Sequence, residues 1–566
     1  MKSKKLLTIT LTSLLVGSCL AIPALADSAD AQSGGNVATY EISANVKRID
    51  EYAFANSTNL VSVKIPDSVT AIGDYAFSGC TSLKEITIPS SVTEIGAHAF
   101  DGCTALVKVQ GLENVTNLSD FTFYNCISLQ DVGDLTSLTS IGESAFAGCK
   151  SLTQLGDMPH LKSIGNSAFG DSSRWIPGEG MSKGYACASL ESIGDLSSVT
   201  SIGENAFYQC TSLKTVGSLS SVTSIGKNAF HQCTSLQSIG ELGNVTCIAY
   251  GAFYGCESLT SISGLEKLTV LNRETFRNCK SLKTVGDLSS VTSISEEVFD
   301  GCDALTTVGD LRSLKAVPDK LFYCLKDLLS VGDLNSATSI GKDAFYGCSK
   351  LASIGNMSNV RTIGSYAFSN CGALTILDEM PLLNSIGGGA FDGCTALTSV
   401  GNLTNVTTLG SFAFNGCKAL KTIGDMPKLE SIGVQCFTGC TALETVGDLS
   451  SLKEIPSETF EGCTSLVSVG DLSNVTAIGK YGFSYCTKLA SIPNLGSLER
   501  VDQFAFSGCE SLALLGNLRK LTSFGYSPFV NSPFHNCPNL VLEVLPDSAA
   551  EQYAKDYNMQ YTYITE

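Results

Sequence analysis

One tryptophan, four histidines and no long apolar run beyond the N-terminus are what this 566-residue sequence has least of. The histidines, His98, His160, His231 and His535, lie far apart, and none falls in a His-Glu-x-x-His or paired-cysteine spacing. A zinc centre needs three or four ligands delivered at such spacings, so metal chemistry has no support. Serine is abundant, but no Gly-x-Ser-x-Gly elbow is set between a strand and a helix. No Walker loop or dinucleotide fingerprint occurs either, so the reading is no enzyme, no catalytic residue and no cofactor. After the N-terminus nothing is long and apolar enough to span a bilayer. Thirty-six basic residues face 54 acidic ones, a balance that disfavours nucleic acid and anionic lipid.

What the first residues do have is a targeting pattern. Met-Lys-Ser-Lys-Lys is followed by an apolar stretch from Leu6 to Leu20 and by a small-x-small site at Ala24-Leu25-Ala26. Residues 1–26 read as a signal peptide, and its removal leaves 33 basic against 54 acidic residues, a net charge of −21. A second reading takes Val16-Gly17-Ser18-Cys19 as a lipobox, with Cys19 as a lipid anchor. The ending Asn-Met-Gln-Tyr-Thr-Tyr-Ile-Thr-Glu carries no sorting signal. A secreted or cell-surface protein is expected.

The rest of the chain is dominated by a beat. Phe54, Phe77, Phe100, Phe123, Phe146 and Phe169 stand 23 residues apart, and the spacing resumes at Phe207 and runs to Phe506. Twenty repeats are in register, and a distorted last one is centred on Phe534. A fixed period of this length marks a solenoid, in which each coil buries its apolar side only against its neighbours. Between Phe169 and Phe207 fifteen extra residues fall in Gly-Asp-Ser-Ser-Arg-Trp-Ile-Pro-Gly-Glu-Gly-Met-Ser-Lys-Gly-Tyr-Ala-Cys, and Ser-Pro-Phe-Val-Asn-Ser-Pro-Phe adds five before Cys537. Such insertions are expected to loop out at an edge and leave the stack intact. The divisions expected are a linker and cap over 27–45, a solenoid over 46–540 with its insertion at 170–184, and a C-terminal cap over 541–566.

Nineteen of the 23 cysteines occupy one phase, three residues after the phenylalanine. In a stack of parallel coils their Cβ vectors point the same way, which is poor disulfide geometry, and a small apolar thiol packs well between Phe and Leu. They are expected to be buried free thiols. Cys436 takes a small core slot before Phe437, Cys324 sits one residue early, and Cys247 is the candidate exposed thiol. Segments such as Ser-Leu-Lys-Thr-Val suit a short strand pairing in parallel with its equivalents. The Ala-Phe-x-Gly-Cys segment is expected to make a tight helical or 3-10 turn. Glycines such as Gly142 and Gly203 are read as bends where positive φ is needed. The fold class expected is α/β, a solenoid of about 21 coils with short parallel strands on one face and tight helical turns on the other.

The stretch from Ile65 to Pro89, with its Ile-Gly-x-x-Ala-Phe-x-x-Cys-x-x-Leu core, resembles the BspA-like leucine-rich repeats of bacterial surface proteins. The resemblance runs from about Val46 to the C-terminus, where Ser548 to Ile564 is similar to the segment that closes such arrays. After the second full repeat the Ile-x-Ile-Pro strand end gives way to Val-Gly-Asp-Leu. The resemblance implies an adhesin-like, non-enzymatic role in contact with host or neighbouring-cell proteins or glycans. The alternative is a structural spacer or self-associating matrix protein.

Three features are candidates for recognition. One acid or amide per coil recurs at Asp134, Asp157, Asp195, Asp287, Asp310, Asp333, Asn356, Asn402, Asp425, Asp448 and Asp471. This column reads either as a calcium ladder or as Asx turns ending each strand. Aromatics follow the key phenylalanine at Tyr124, Tyr208, Tyr254, Tyr323 and Tyr346, with His231 in phase, and precede it by two at Tyr52, Tyr75, Phe121, Tyr366, Phe412, Tyr481 and Phe504. They are either contact residues or edge packing. The insertion supplies Arg174, Trp175, Lys183 and Tyr185 as a candidate contact loop.

Overall fold

The computed structural model describes residues 38–170, 175–176, 180–181, 186–525 and 532–564. The signal peptide expected over residues 1–26, with Cys19, lies outside these, as do Arg174, Lys183 and Tyr185.

The coils stack as the beat requires. Equivalent strands pair in parallel 23 residues apart, as in Ile86 with Val109 and Ser140 with Ser163. Across the insertion Ser163 pairs with Ser201, 38 residues on, so the extra residues leave the ladder unbroken. The twenty-one Phe-bearing coils and the strand Ala38–Glu41, which starts the first sheet, make about 22 turns.

Each coil has three sides, where the sequence reading gave two. One side carries the expected Leu-Lys-Thr-Val strands. A second parallel ladder, not foreseen, forms from Thr-Ser-Ile segments such as Ser201–Ile202 over Ser224–Ile225. Its strands are two residues long, too short for a period-2 signal to stand out.

On the third side the expected helical or 3-10 turn does not form. Instead three overlapping β-turns step two residues at a time. In the Phe54 coil Ala53 donates to Asp50 at 3.2 Å, Ala55 to Tyr52 at 3.1 Å and Ser57 to Phe54 at 3.1 Å. The amides between them, those of Tyr52, Phe54 and Asn56, donate to Asp74, Ala76 and Ser78 of the next coil at 3.0, 2.7 and 2.6 Å. An α-helix sends every amide to residue i−4 of its own segment. Here every second amide leaves the coil, so no helix can close. Left-handed residues two before and two after the phenylalanine, such as Tyr52 at φ 59° and Asn56 at φ 60°, make this alternation possible. Among the described residues the one α-helix, α1 (Ala549–Asp556), lies beyond the repeats. It is capped by Ser548, whose Oγ accepts from Glu551 N at 3.2 Å, while Glu551 reaches back to Asp547 N at 2.7 Å.

Gly142 also has a different reason from the one expected. It is not in the left-handed region, but a Cβ there would lie 2.7 Å from the Asp120 backbone nitrogen of the preceding coil. The glycine at that bend is therefore needed for close approach between coils.

The core is built of columns of like side chains, among them phenylalanine, cysteine, leucine and isoleucine. The phenylalanine rings stack face to face along the whole array, for example at 5.1 Å between Phe54 and Phe77 and 5.4 Å between Phe77 and Phe100. Phe169 meets Phe207 at 5.1 Å across the insertion, and Phe506 meets Phe534 at 6.0 Å. Such ring pairs contribute about 0.5–1.5 kcal/mol each beyond area burial.

The cysteine column has a bonding role as well as a packing one. Each Sγ donates to the carbonyl of the phenylalanine one coil below, as in Cys80 to Phe54 at 3.1 Å, Cys187 to Phe146 at 3.0 Å and Cys537 to Phe506 at 3.0 Å. That buried carbonyl already takes one amide, and the thiol occupies its second lone pair. Among the described residues the first coil has no phenylalanine coil below it, only the strand Ala38–Glu41, and it carries Ser57 in this slot. The 22 described cysteines are all unpaired; those in phase are buried apart from the half-buried Cys537, Cys436 is buried in its small slot, Cys324 is half-buried and Cys247 is exposed.

Burial pushes the Cys348, Cys394 and Cys440 thiols up to about 12. A raised thiol pKa favours the fold fully below the unfolded value near 9, and that contribution is lost as pH rises towards 12. Stability to urea is therefore expected to fall steeply above about pH 9, because many buried thiols must ionise together on unfolding. A thiol titration at pH 8 should find Cys247 reactive at once and the in-phase column protected until denaturant is added. Phe276→Ala should cost about 3–5 kcal/mol, read from denaturant melts.

Candidate functional site

The acid column resolves into turns. Asp134 accepts from Thr136 N at 2.8 Å, Asp195 from Ser197 N at 2.8 Å, Asp287 from Ser289 N at 2.7 Å and Asp471 from Ser473 N at 2.8 Å. These are Asx turns two residues long. Asp157, Asp333 and Asp425 instead accept from the amide of the coil above, as in Asp425 with Asp448 N at 3.0 Å. The Asp134 carboxyl is held below its ordinary value by the Thr136 amide. Among the described residues no group of three or more His, Cys, Asp or Glu is placed to hold a metal ion.

The aromatic columns lie side by side on the β-turn face. Tyr208, His231 and Tyr254 stack at 4.7 and 4.5 Å, and Tyr323 and Tyr346 at 5.2 Å. Tyr124 sets its edge against Phe121 at 5.4 Å, which joins this column to the neighbouring one. In that second column Tyr52, Tyr75, His98 and Phe121 stack at 4.8, 4.4 and 4.6 Å, and Tyr481 meets Phe504 at 5.1 Å. Tyr323 is exposed, and Tyr124, Tyr208, Tyr254 and Tyr346 are half-buried. The rings cover one another face to face and present their edges to solvent.

The second column carries a backbone cost. Tyr52, Tyr75, His98, Phe121, Tyr366, Phe412, Tyr481 and Phe504 all sit at φ between 54° and 62°. Bulky residues seldom adopt this region, which costs roughly 1–2 kcal/mol per residue. Stacking offsets it in the run from Tyr52 to Phe121.

Sequence reasoning missed an ion network in the same two phases. Arg277 follows Phe276 where tyrosines stand elsewhere, and it pairs with Glu274 at 3.1 Å, Glu297 at 2.7 Å and Asp300 at 3.0 Å. Arg273 adds Glu297 at 3.0 Å, and Tyr250 Oη donates to Glu274 at 2.5 Å. Partial burial pushes the Glu274 carboxyl up, but the Tyr250 and Arg277 hydrogen bonds hold it below the usual range. The signal available was an arginine whose neighbours one coil away in the same phases, Glu297 and Asp300, are acids. A cavity of about 530 Å³ adjoins it, lined by Glu296, Glu297, Asp300, Asp319, Lys320 and Tyr323 among others.

Of the insertion, Trp175–Ile176 pairs antiparallel with Gly180–Met181. Gly170, the last described residue before the insertion's Trp175, lies directly against Tyr208. Gly170 therefore stands beside the Tyr208–His231–Tyr254 column.

A sequence profile described as a BspA type leucine rich repeat region, in six copies, matches residues 47–175, 182–306, 315–444 and 425–541. The chain belongs to the BspA-type leucine-rich-repeat family. A comparison with curated proteins finds no match. Among solved structures, a leucine rich cell surface protein from Faecalibacterium prausnitzii is 26% identical, with a TM-score of 0.30, over 56% of this chain and 87% of its own. A leucine-rich repeat protein from Bacteroides ovatus is 24% identical, with a TM-score of 0.25, over 88% of each chain. One from Eubacterium ventriosum is 22% identical, with a TM-score of 0.32, over 59% and 89%. BspA-type repeats suit protein interaction, and no helix among the described residues is long and apolar enough to cross a membrane.

Burial between two tyrosines lowers the His231 pKa, and its Nδ1 and Asn228 Oδ1 are buried without partners. A depressed imidazole favours the fold above its unfolded value of about 6.5 and loses that contribution as pH falls through the folded value. Ring resonances of His231 should titrate below the ordinary histidine range, and the protection factors of amides in the Phe230 coil should fall on acidification over the same interval.

Proposed function

We propose that this BspA-type solenoid is a secreted or cell-surface, non-enzymatic binding protein of adhesin-like kind, whose β-turn face contacts proteins of host or neighbouring cells. The observation that carries the reading is the pair of outward-facing aromatic columns on a frame that fixes every ring. Tyrosines held at one position lose little conformational entropy on binding and supply large amphipathic contact area. Stacking hides the ring faces, and a sugar needs such a face to lie on, so proteins fit this surface better than glycans. Trp175, Arg174, Lys183 and Tyr185 are included in the proposed surface because Gly170, where the insertion begins, packs against Tyr208.

The test uses the mature chain immobilised and presented to extracellular proteins and to whole cells. Capture of a defined protein, with attachment reduced about tenfold or more in a Tyr208→Ala, Tyr254→Ala, Tyr323→Ala variant, is the expected result. A further drop is expected for Trp175→Ala. Attachment unchanged in these variants would remove the β-turn face from the reading. No capture at all, with the protein associating only with itself, would favour the spacer.

A further inference from the structure

The strand face carries a second irregularity, in the Phe368 coil. Where its neighbours read Ile354-Gly355-Asn356-Met357 and Val400-Gly401-Asn402-Leu403, this coil reads Leu377-Asp378-Glu379-Met380. The glycine slot is tight. A Cβ at Gly332 would lie 2.7 Å from Asp310 Cα, and one at Gly355 2.6 Å from Asp333 N. Asp378 brings a Cβ to this slot.

The ladder is interrupted at this coil, as it is also at the coils of Asp131, Thr215 and Ser238. The first sheet stops at Ser353–Ile354 and resumes at Thr422–Ile423, with only the single bridge Ile376–Ser399 between. Gly332, Gly355, Gly447 and Gly470 each donate their amide to the coil below at 2.9–3.1 Å. Among the described residues the equivalent amides of Asp378, Gly401 and Gly424 have no hydrogen-bond partner, nor do those of Gly156, Gly217 and Gly240; here three consecutive coils share the feature beside one cavity. A Cβ at Gly424 would meet nothing within 4 Å.

A surface cavity of about 570 Å³ opens at this break, and those three residues line it. Asp378, Glu379 and Asp425 give it three carboxylates, and no basic residue is in its lining. Ile376 stands at its rim, 57% exposed. The three chemistries select an occupant together. Carboxylates repel an anion that the free amides would otherwise attract, and the amide donors oppose a bare metal ion. An extended polypeptide satisfies all three, with carbonyls for the amides, cationic side chains for the carboxylates and an apolar side chain for Ile376.

We propose that the break at the Phe368 coil is a docking slot for an extended, lysine- or arginine-bearing segment of a partner protein. The slot lies on the strand face, apart from the aromatic columns, and stands independently of their role. The segment adds to the interrupted ladder by its backbone and is selected by charge.

The probe is a fluorescent octapeptide of alternating lysine and valine with blocked ends, titrated at 150 mM salt into the mature protein. A glutamate–valine octapeptide and spermine serve as comparisons. The expected result is saturable binding of the basic peptide only, weakened about tenfold or more by Asp378→Asn with Glu379→Gln, and several-fold by Ile376→Ser. Glu297→Gln with Asp300→Asn, on the β-turn face, should leave it unchanged. Amide exchange should slow over residues 376–404 and 422–426 when the peptide is bound. Binding that ignores the Asp378 and Glu379 changes, equal protection of these amides by spermine, or loss on changing Glu297 and Asp300 would each overturn the proposal. The substitutions at Ile376, Asp378 and Glu379 are exposed and leave the core untouched, and an unchanged melting temperature in every variant separates a binding defect from misfolding.

Discussion

Everything in this molecule follows from hydrogen bonds that run between coils. On the β-turn side every second amide is committed to the next coil, and on the other two sides the strands pair in the same direction. A coil alone can satisfy neither its backbone nor its phenylalanine. Each position is thereby forced to face its own equivalent 23 residues away, and packing becomes a problem of like against like. Flat rings solve it by stacking. Small thiols solve it by pointing the same way and giving their proton to a carbonyl that would otherwise hold an unused lone pair. Where Thr122, Thr275 and Thr459 replace the alanine before the phenylalanine, each hydroxyl turns back onto a carbonyl of its own coil.

The same constraint shapes the surface. Side chains one coil apart touch, so aromatics recurring in one phase become columns and charges recurring in one phase become networks. Tyr208, His231 and Tyr254 form such a column, and Arg277 with Glu274, Glu297 and Asp300 forms such a network. Recognition on this frame is a matter of which phases are decorated and where the frame is interrupted. The aromatic columns decorate it, and the break at Asp378 interrupts it.

How much of this was legible depended on the length of the signal. The phenylalanine, cysteine and leucine phases were legible because each is repeated some twenty times. The Asx turns followed from one acid per coil, far below what a calcium coil needs. The second sheet escaped because two residues carry no periodicity, and the β-turn face was misread as helical because Ala-Phe-x-Gly-Cys is locally compatible with one helical turn. The decisive fact there, that the amides of Phe54 and its equivalents leave the coil, is a contact between residues 22 apart. The Asp378 site escaped for a related reason: one acid in place of one glycine is unremarkable until the closeness of the coil below is known.

The sequence by itself determined the period, the direction of stacking and the residues that form the core, since a repeat can bury its apolar positions only against copies of itself. It also located the insertion and the aromatic phases. Only the tertiary structure decided which rings stack on which, that the turn side is a ladder of β-turns, that the thiols serve phenylalanine carbonyls, and that a cavity lies beside Asp378. Each of these depends on distances of a few ångströms between neighbouring coils, and such distances are a property of the stack that no single coil contains.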